Sequence, residues 1–239
     1  MLGKPLRRLV VNGFRVEVQD RENGLKLYTR SRVEEGRSVL IVKKMVSGSV
    51  GLTPYPIYPI YNPRFITRYI LCILDEELIL APRDSMRFYL RFPYDVAIYA
   101  EMAGEFRVLD VIPLHSRYKL SFYGHQASGL IARTCRSRVY VEEPEFSVGW
   151  GIMPVYVVNE TNRLAILGRI LLDSSPLKLY YMPGSWAVYT QLVQINISTQ
   201  SVAVITYGDP IRGDIIPIED PPEIRPPKIV STTYMLWGF

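Results

Sequence analysis

The chain has 239 residues, 48% of them hydrophobic, which suits one large all-β domain or two small ones. Its formal charge of +5, from 28 cations against 23 carboxylates, permits nucleic-acid binding without requiring it. No apolar run nears the roughly 18 residues of a membrane span, and the basic start (Lys4, Arg7, Arg8) is followed by too short an apolar run for a signal peptide, so a soluble, cytoplasmic protein is expected.

In chain order, Leu9–Val18 reads as a hairpin. Asn12-Gly13, the pair preferred in type I′ turns, separates Leu9-Val10-Val11 from alternating Phe14, Val16 and Val18. Two more strands, Gly24–Thr29 and Ser38–Lys43, flank a turn at Glu34-Glu35-Gly36. Leu52–Pro63 holds four prolines among tyrosines and isoleucines. Proline fixes φ and removes a donor, so this stretch predicts a stiff extended connector rather than a helix or central strand. Tyr69–Leu74 is a continuous apolar run suited to a strand buried on both faces, with a turn expected at Asp75-Glu76-Glu77 before Leu78-Ile79-Leu80.

The cleanest alternation follows. Met86, Phe88, Leu90 and Phe92 point one way, and Arg87, Tyr89 and Arg91 the other. After a turn, Val96, Ile98, Ala100 and Met102 resume the apolar face opposite Tyr99 and Glu101. Further strands are expected at Phe106–Ile112, Tyr118–Phe122, Gly129–Cys135, Arg138–Glu142, Ile152–Val158, Arg163–Leu172 with a bulge at Gly168, Leu177–Tyr181, Trp186–Ile197 and Val202–Tyr207. Met153-Pro154-Val155-Tyr156 is a faint copy of the proline–tyrosine connector, so the halves read either as a weak repeat or as coincidence. Pro217–Lys228 is a proline-rich spacer ahead of the apolar tail Ile229–Phe239.

These strands predict an all-β, antiparallel β-sandwich-like architecture with little or no helix, built as two packed lobes. The expected divisions are 1–146 for the first lobe, 147–216 for the second, and 217–239 for the spacer and tail. The heavy use of Tyr, Ile, Val, Arg and Pro, with few Gln, Asn and His, fits a hyperthermophile source. Cys72 and Cys135 read as two buried thiols or as one disulfide.

The search for chemistry yields candidates rather than motifs. Walker, GxGxxG, HExxH and GxSxG patterns are missing. His115 and His125 lack two further ligands at useful spacing, so no metal and no cofactor is expected. The acidic clusters at Asp75-Glu76-Glu77 and Glu142-Glu143-Glu145 read as solvated turns before they read as hydrolytic pairs. Two cationic groupings remain. His125, Arg133, Arg136 and Arg138 form a candidate anion site, since guanidinium forks suit carboxylate or phosphate. Arg87, Tyr89, Arg91 and Tyr99 form a candidate interaction face for protein or single-stranded nucleic acid. In the tail, Tyr234, Leu236, Trp237 and Phe239 are too apolar to stand free, and they predict a strand or anchor docked outside its own lobe or folded back on it.

Phe88-Tyr89-Leu90-Arg91-Phe92-Pro93, Tyr123-Gly124, Gly129-Leu130-Ile131-Ala132-Arg133, Ser137-Arg138-Val139-Tyr140 and Met153-Pro154-Val155-Tyr156 carry a resemblance to an archaeal family known as domain of unknown function 432. These are strand and turn patterns, so no catalytic residue carries over. Some members of that family accompany small mechanosensitive channel proteins, and the resemblance thereby implies a partner in a membrane complex. The resulting expectation is a non-enzymatic β module acting through protein–protein contacts, as a homo-oligomer or with a protein partner. A nucleic-acid-binding β protein using the arginine–tyrosine face comes second, and an uncharacterised hydrolase last.

Overall fold

The computed structural model describes residues 1–59, 66–115, 119–125, 129–199, 202–219 and 233–236, the last four as backbone alone. It is an all-β structure whose one helical element among these residues is a 3-10 turn at Glu22–Gly24.

Strands β1 (Arg8–Val11), β2 (Phe14–Arg21), β3 (Leu25–Glu34) and β4 (Arg37–Ser47) form an antiparallel meander in that order. Its tight turns follow from sequence. Asn12-Gly13 and Glu35-Gly36 each place two residues at positive φ, as a type I′ hairpin demands. Leu9, Val11, Phe14, Val16 and Tyr28 turn inward to the core. Asp110 ties the sheet to the body: it accepts hydrogen bonds from Tyr28 Oη at 2.7 Å and from Arg30 Nε and Nη2 at 2.7 and 3.2 Å.

The proline–tyrosine stretch does enter a sheet. Its first half is β5 (Gly51–Ile57), an edge strand in which Pro54 and Pro56 cost no ladder hydrogen bond. On its open side, Leu52 O and Pro54 O accept from Leu6 N and Gly3 N. Tyr58 follows β5, buried, and residues 60–63, the end of the connector, lie outside the described residues. Strand β6 (Tyr69–Leu80) does not turn at Asp75-Glu76-Glu77 as expected. The chain keeps its direction, and those carboxylates sit where the register slips opposite Gly168, at the predicted bulge. Then come β7 (Ser85–Pro93), β8 (Asp95–Met102) and β9 (Glu105–Ile112), with β5-β8-β9 a separate three-stranded sheet.

Strands β10 (Lys119–Tyr123), β11 (Leu130–Ser137), β12 (Trp150–Asn159) and β13 (Ala165–Asp173) complete the inner layers. One sheet has the order β10-β11-β6-β13. The large sheet runs β18-β14-β15-β12-β16-β17-β19, with β7 also on β12, where β14 is Leu179–Tyr181, β15 Val188–Thr190, β16 Val193–Ile197, β17 Val202–Tyr207, β18 Ile216–Pro217 and β19 Thr233–Leu236. The expected long strand Trp186–Ile197 is therefore two, broken where Leu192 bonds to Asp209 and Gly208 instead of a neighbouring strand.

Two sheets are mixed rather than purely antiparallel, because β6–β11, β12–β15 and β12–β16 pair in parallel. Met153-Pro154 is no connector either: it lies inside β12. Proline is tolerated there for a local reason. Tyr89, opposite Pro154, exchanges its backbone bonds with Tyr140 on its far side. On the other flank, Pro154 falls between the residues that pair with β15 and those that pair with β16. The expected lobes share these sheets, since β7 pairs with β12 and β6 with β13 across the 146/147 division. One core cluster draws on both, including Phe88, Leu90 and Cys72 from one side and Val155, Val157 and Ile195 from the other. Burying each such side chain contributes about 1.5–3 kcal/mol.

Candidate interaction face

The large sheet has one face in the core; the other is covered where Ile152, Tyr180 and Tyr189 form a second buried cluster with Ala187 and Ile215, and is open at Arg87. Period-two alternation puts Phe88, Leu90 and Phe92 inside, and Arg87, Tyr89 and Arg91 outside, as the sequence predicts. Register then adds residues that sequence reasoning missed. Tyr156 lies directly across from Arg87, whose guanidinium stands 5.3 Å from the ring centroid. Arg91 stands 5.4 Å from the Tyr140 ring, and its Nη2 donates to Glu145 O at 2.7 Å.

Farther along the same face, Arg212 stands 5.4 Å from the Tyr189 ring and donates to Glu143 at 3.0 Å and Asp214 at 2.7 Å. Tyr189 Oη donates to the same Glu143 carboxylate at 2.8 Å. Burial, reinforced by that hydrogen bond, pushes the Tyr189 phenol up to about 12. The hydrogen bond from Arg212 holds the Asp214 carboxyl below its ordinary value. Arg87, Arg91 and Arg212 are therefore each stacked on a tyrosine of their own chain. Arg87 is the exposed one of the β7 pair, while Arg91 is half-buried beneath the segment around Glu145.

Tyr99 does not belong to this face. The chain leaves the large sheet at Tyr94-Asp95, so β8 lies in the three-stranded sheet, where Tyr99 is buried against Tyr55 at 5.0 Å and Phe106 at 6.4 Å.

The candidate anion site does not assemble. Arg133 is only 1% exposed and shares the inward face of β11 with Cys135. Arg136 points to the opposite face and pairs with Asp75 at 3.0 Å. Arg138 lies exposed beyond the end of the strand, and His125 is exposed in the turn after β10. Three residues of spacing along a strand invert the side-chain direction, so Arg133 and Arg136 cannot serve one ligand. The two cysteines do meet: Cys72 and Cys135 are directly opposed in β6 and β11, with Sγ atoms 3.2 Å apart as free, buried thiols. Its hydrogen bond to Cys135, with burial, raises the Cys72 thiol well above its ordinary value.

His115 is placed far from any ligand role with His125. Its Nε2 lies 2.8 Å from Gly149 O, and its ring packs edge-on to Trp150 at 4.7 Å. Together with Asn12, Val11, Leu114 and Trp186 these rings line an open cavity of about 470 Å³.

The tail supplies β19, and it pairs antiparallel with β17 of the same chain, Tyr234 opposite Val204 and Leu236 opposite Val202. Of the two expected placements, the described part of the tail takes the second, folded back on its own lobe. The edge of β17 lies within the same chain and needs a partner, so strand addition is satisfied internally. Trp237 and Phe239 fall outside the described residues.

Neither a curated protein nor a solved structure matches this chain. A family model described as a protein of unknown function, DUF432, matches residues 3–236, and the chain belongs to that family.

Proposed function

We propose that the protein is a non-enzymatic β module that works through protein–protein contacts, docking partners on the outer face of its large sheet. The observation that carries this reading is the stack of exposed Arg87 on Tyr156. Arginine and tyrosine are the side chains that concentrate binding energy at protein interfaces. A guanidinium already held over a ring loses less rotamer freedom on docking than a free one. The family resemblance makes a mechanosensitive channel protein one candidate partner, and a second copy of the chain is another.

Single-stranded nucleic acid is the second reading, because cations beside aromatic rings also stack bases. Charge weighs against it. Residues 1–50 hold 11 of the 28 cations and 5 of the 23 carboxylates, leaving 17 cations and 18 carboxylates in the remainder that builds the large sheet. A phosphate backbone gains most from a surface with excess cations.

Light scattering on the purified protein and on an Arg87→Glu variant tests the reading. The native protein should exceed its 27.5 kDa chain mass at both low and high salt, and the variant should fall to the monomer. A monomeric native protein that binds oligo-dT with steep salt dependence would sink the protein-contact reading in favour of nucleic acid.

A further inference from the structure

Strand β4 is a second, chemically different surface. It is 11 residues long and stands at the free edge of its sheet. Among the described residues, β3 is the one strand paired with it. Alternate N–H and C=O groups along the other side of such an edge are a template for a further strand. Its apolar side chains are unusually open, with Val39 55% exposed, Leu40 56%, Ile41 46% and Met45 55%. Leu40 stands opposite Ser31 and Met45 opposite Leu27 on the outer face, while Val39 stands opposite Arg32 on the inner one. Ile41 is the extra residue of a bulge. An incoming strand would therefore find apolar contacts on both of its faces.

Charge selects the occupant. Arg37, Lys43 and Lys44 are the only charged residues of β4 itself, and Glu34, opposite Arg37 in β3, is paired with Arg32 at 2.9 Å. The Lys44 ammonium donates to Leu109 O, which braces the strand against β9 and leaves Arg37 and Lys43 exposed along the edge. Pairing with a second copy would join two strands that carry cations and no carboxylate, a concentration of like charge that disfavours self-pairing.

We propose that β4 accepts an extended, acidic segment of a partner protein by strand addition, its carboxylates meeting Arg37 and Lys43 and its apolar residues packing on Val39, Leu40 and Met45. Main-chain hydrogen bonds supply affinity and the charges supply selection. This rests on the reading of the protein as a protein-binding module, but the surface is separate from the Arg87–Tyr156 face.

The test uses the full chain and an 11-residue Glu/Val peptide repeating Glu-Glu-Val-Val, which sets carboxylates and apolar groups on both faces of a strand, with a Lys/Val peptide of the same pattern as control. Amide hydrogen exchange locates the contact. The Glu/Val peptide should slow exchange across residues 37–47 and leave residues 85–93 unchanged. In the double variant Arg37→Glu, Lys43→Glu, affinity for Glu/Val should fall about tenfold and the Lys/Val peptide should become the better ligand. Both residues are exposed, so thermal melting checks that the variant remains folded; the single variant Lys43→Gln, with a smaller loss, is the fallback. The variant Arg87→Glu should bind the peptide normally, which separates this proposal from the one above. The proposal is overturned if β4 stays unprotected at about 1 mM peptide, or if both peptides bind equally. It is also overturned if phosphatidylserine vesicles or oligo-dT protect β4 where Glu/Val does not.

Discussion

The N-terminal sheet and the large sheet both carry arginine beside apolar or aromatic side chains, yet they use it in opposite ways. On the large sheet the chain supplies its own partners: Tyr156 for Arg87, Tyr140 and Glu145 for Arg91, and Tyr189, Glu143 and Asp214 for Arg212. On the N-terminal sheet the inward cation Arg30 is fully engaged by Asp110, while the edge strand β4 presents Arg37 and Lys43 with open apolar neighbours. The difference teaches that the number of cations does not define a docking surface. What matters is how each cation is held: a guanidinium fixed over a ring offers a pre-ordered contact, while an edge cation beside open apolar side chains selects its partner by charge.

The strongest way to break this comparison is to cut the tie of the N-terminal sheet. Asp110→Ala leaves Arg30, 8% exposed, without its carboxylate and Tyr28 Oη without its acceptor. Stranding a buried charge costs about 3–5 kcal/mol, so urea unfolding should show a loss of that size. A loss below about 1 kcal/mol would mean the pair behaves as an exposed one.

A smaller effect probes the junction on the large-sheet side. Tyr94 Oη donates to Trp186 O at 3.0 Å, joining the corner between β7 and β8 to the segment before β15. Tyr94→Phe should cost about 1 kcal/mol, the net value of one such hydrogen bond. The same residue gives an alkaline signature. Burial pushes the Tyr94 phenol up to about 12, and Tyr189 is raised likewise to about 12, against an ordinary value of 10.0. Because the folded values lie above the unfolded one, the associated stability is fully present below pH 10 and lost as pH rises towards 12. Melting temperature should fall across that window, and less steeply in Tyr94→Phe. Equal slopes for the two proteins would sink the assignment.

The smallest effect sharpens the comparison most. If the Arg87–Tyr156 stack serves docking rather than folding, Arg87→Ala should lower stability by no more than about 0.5–1 kcal/mol, the worth of an exposed cation–π contact. Calorimetric loss above about 2 kcal/mol would make Arg87 a structural residue and remove it from the interface.

Much of this molecule was legible from local signals. The turns at Asn12-Gly13 and Glu35-Gly36, the bulge at Gly168 and the division of β7 into an apolar and an arginine–tyrosine face all depend on neighbours within a few residues. The misreadings share one cause. Asp75-Glu76-Glu77 looked like a turn because acidic runs usually are, but β6 continues past them under pairing with β13, which lies about a hundred residues on. Pro154 looked like a connector because proline breaks ladders, but it falls in a gap between two partner strands.

By itself, then, the sequence determined the all-β class, the tight turns and which side chains of each strand share a face, because side-chain direction alternates with a period of two whatever the strand pairs with. Only the tertiary structure decided which strands became neighbours. That choice took Tyr99 off the arginine–tyrosine face and brought Tyr156 and Tyr140 onto it. It buried Arg133 away from Arg136, set Cys72 beside Cys135, and laid the tail on β17 of its own chain. Partner choice is settled by burial of whole faces and by pairing between residues distant in sequence, and neither quantity is written in any short stretch of the chain.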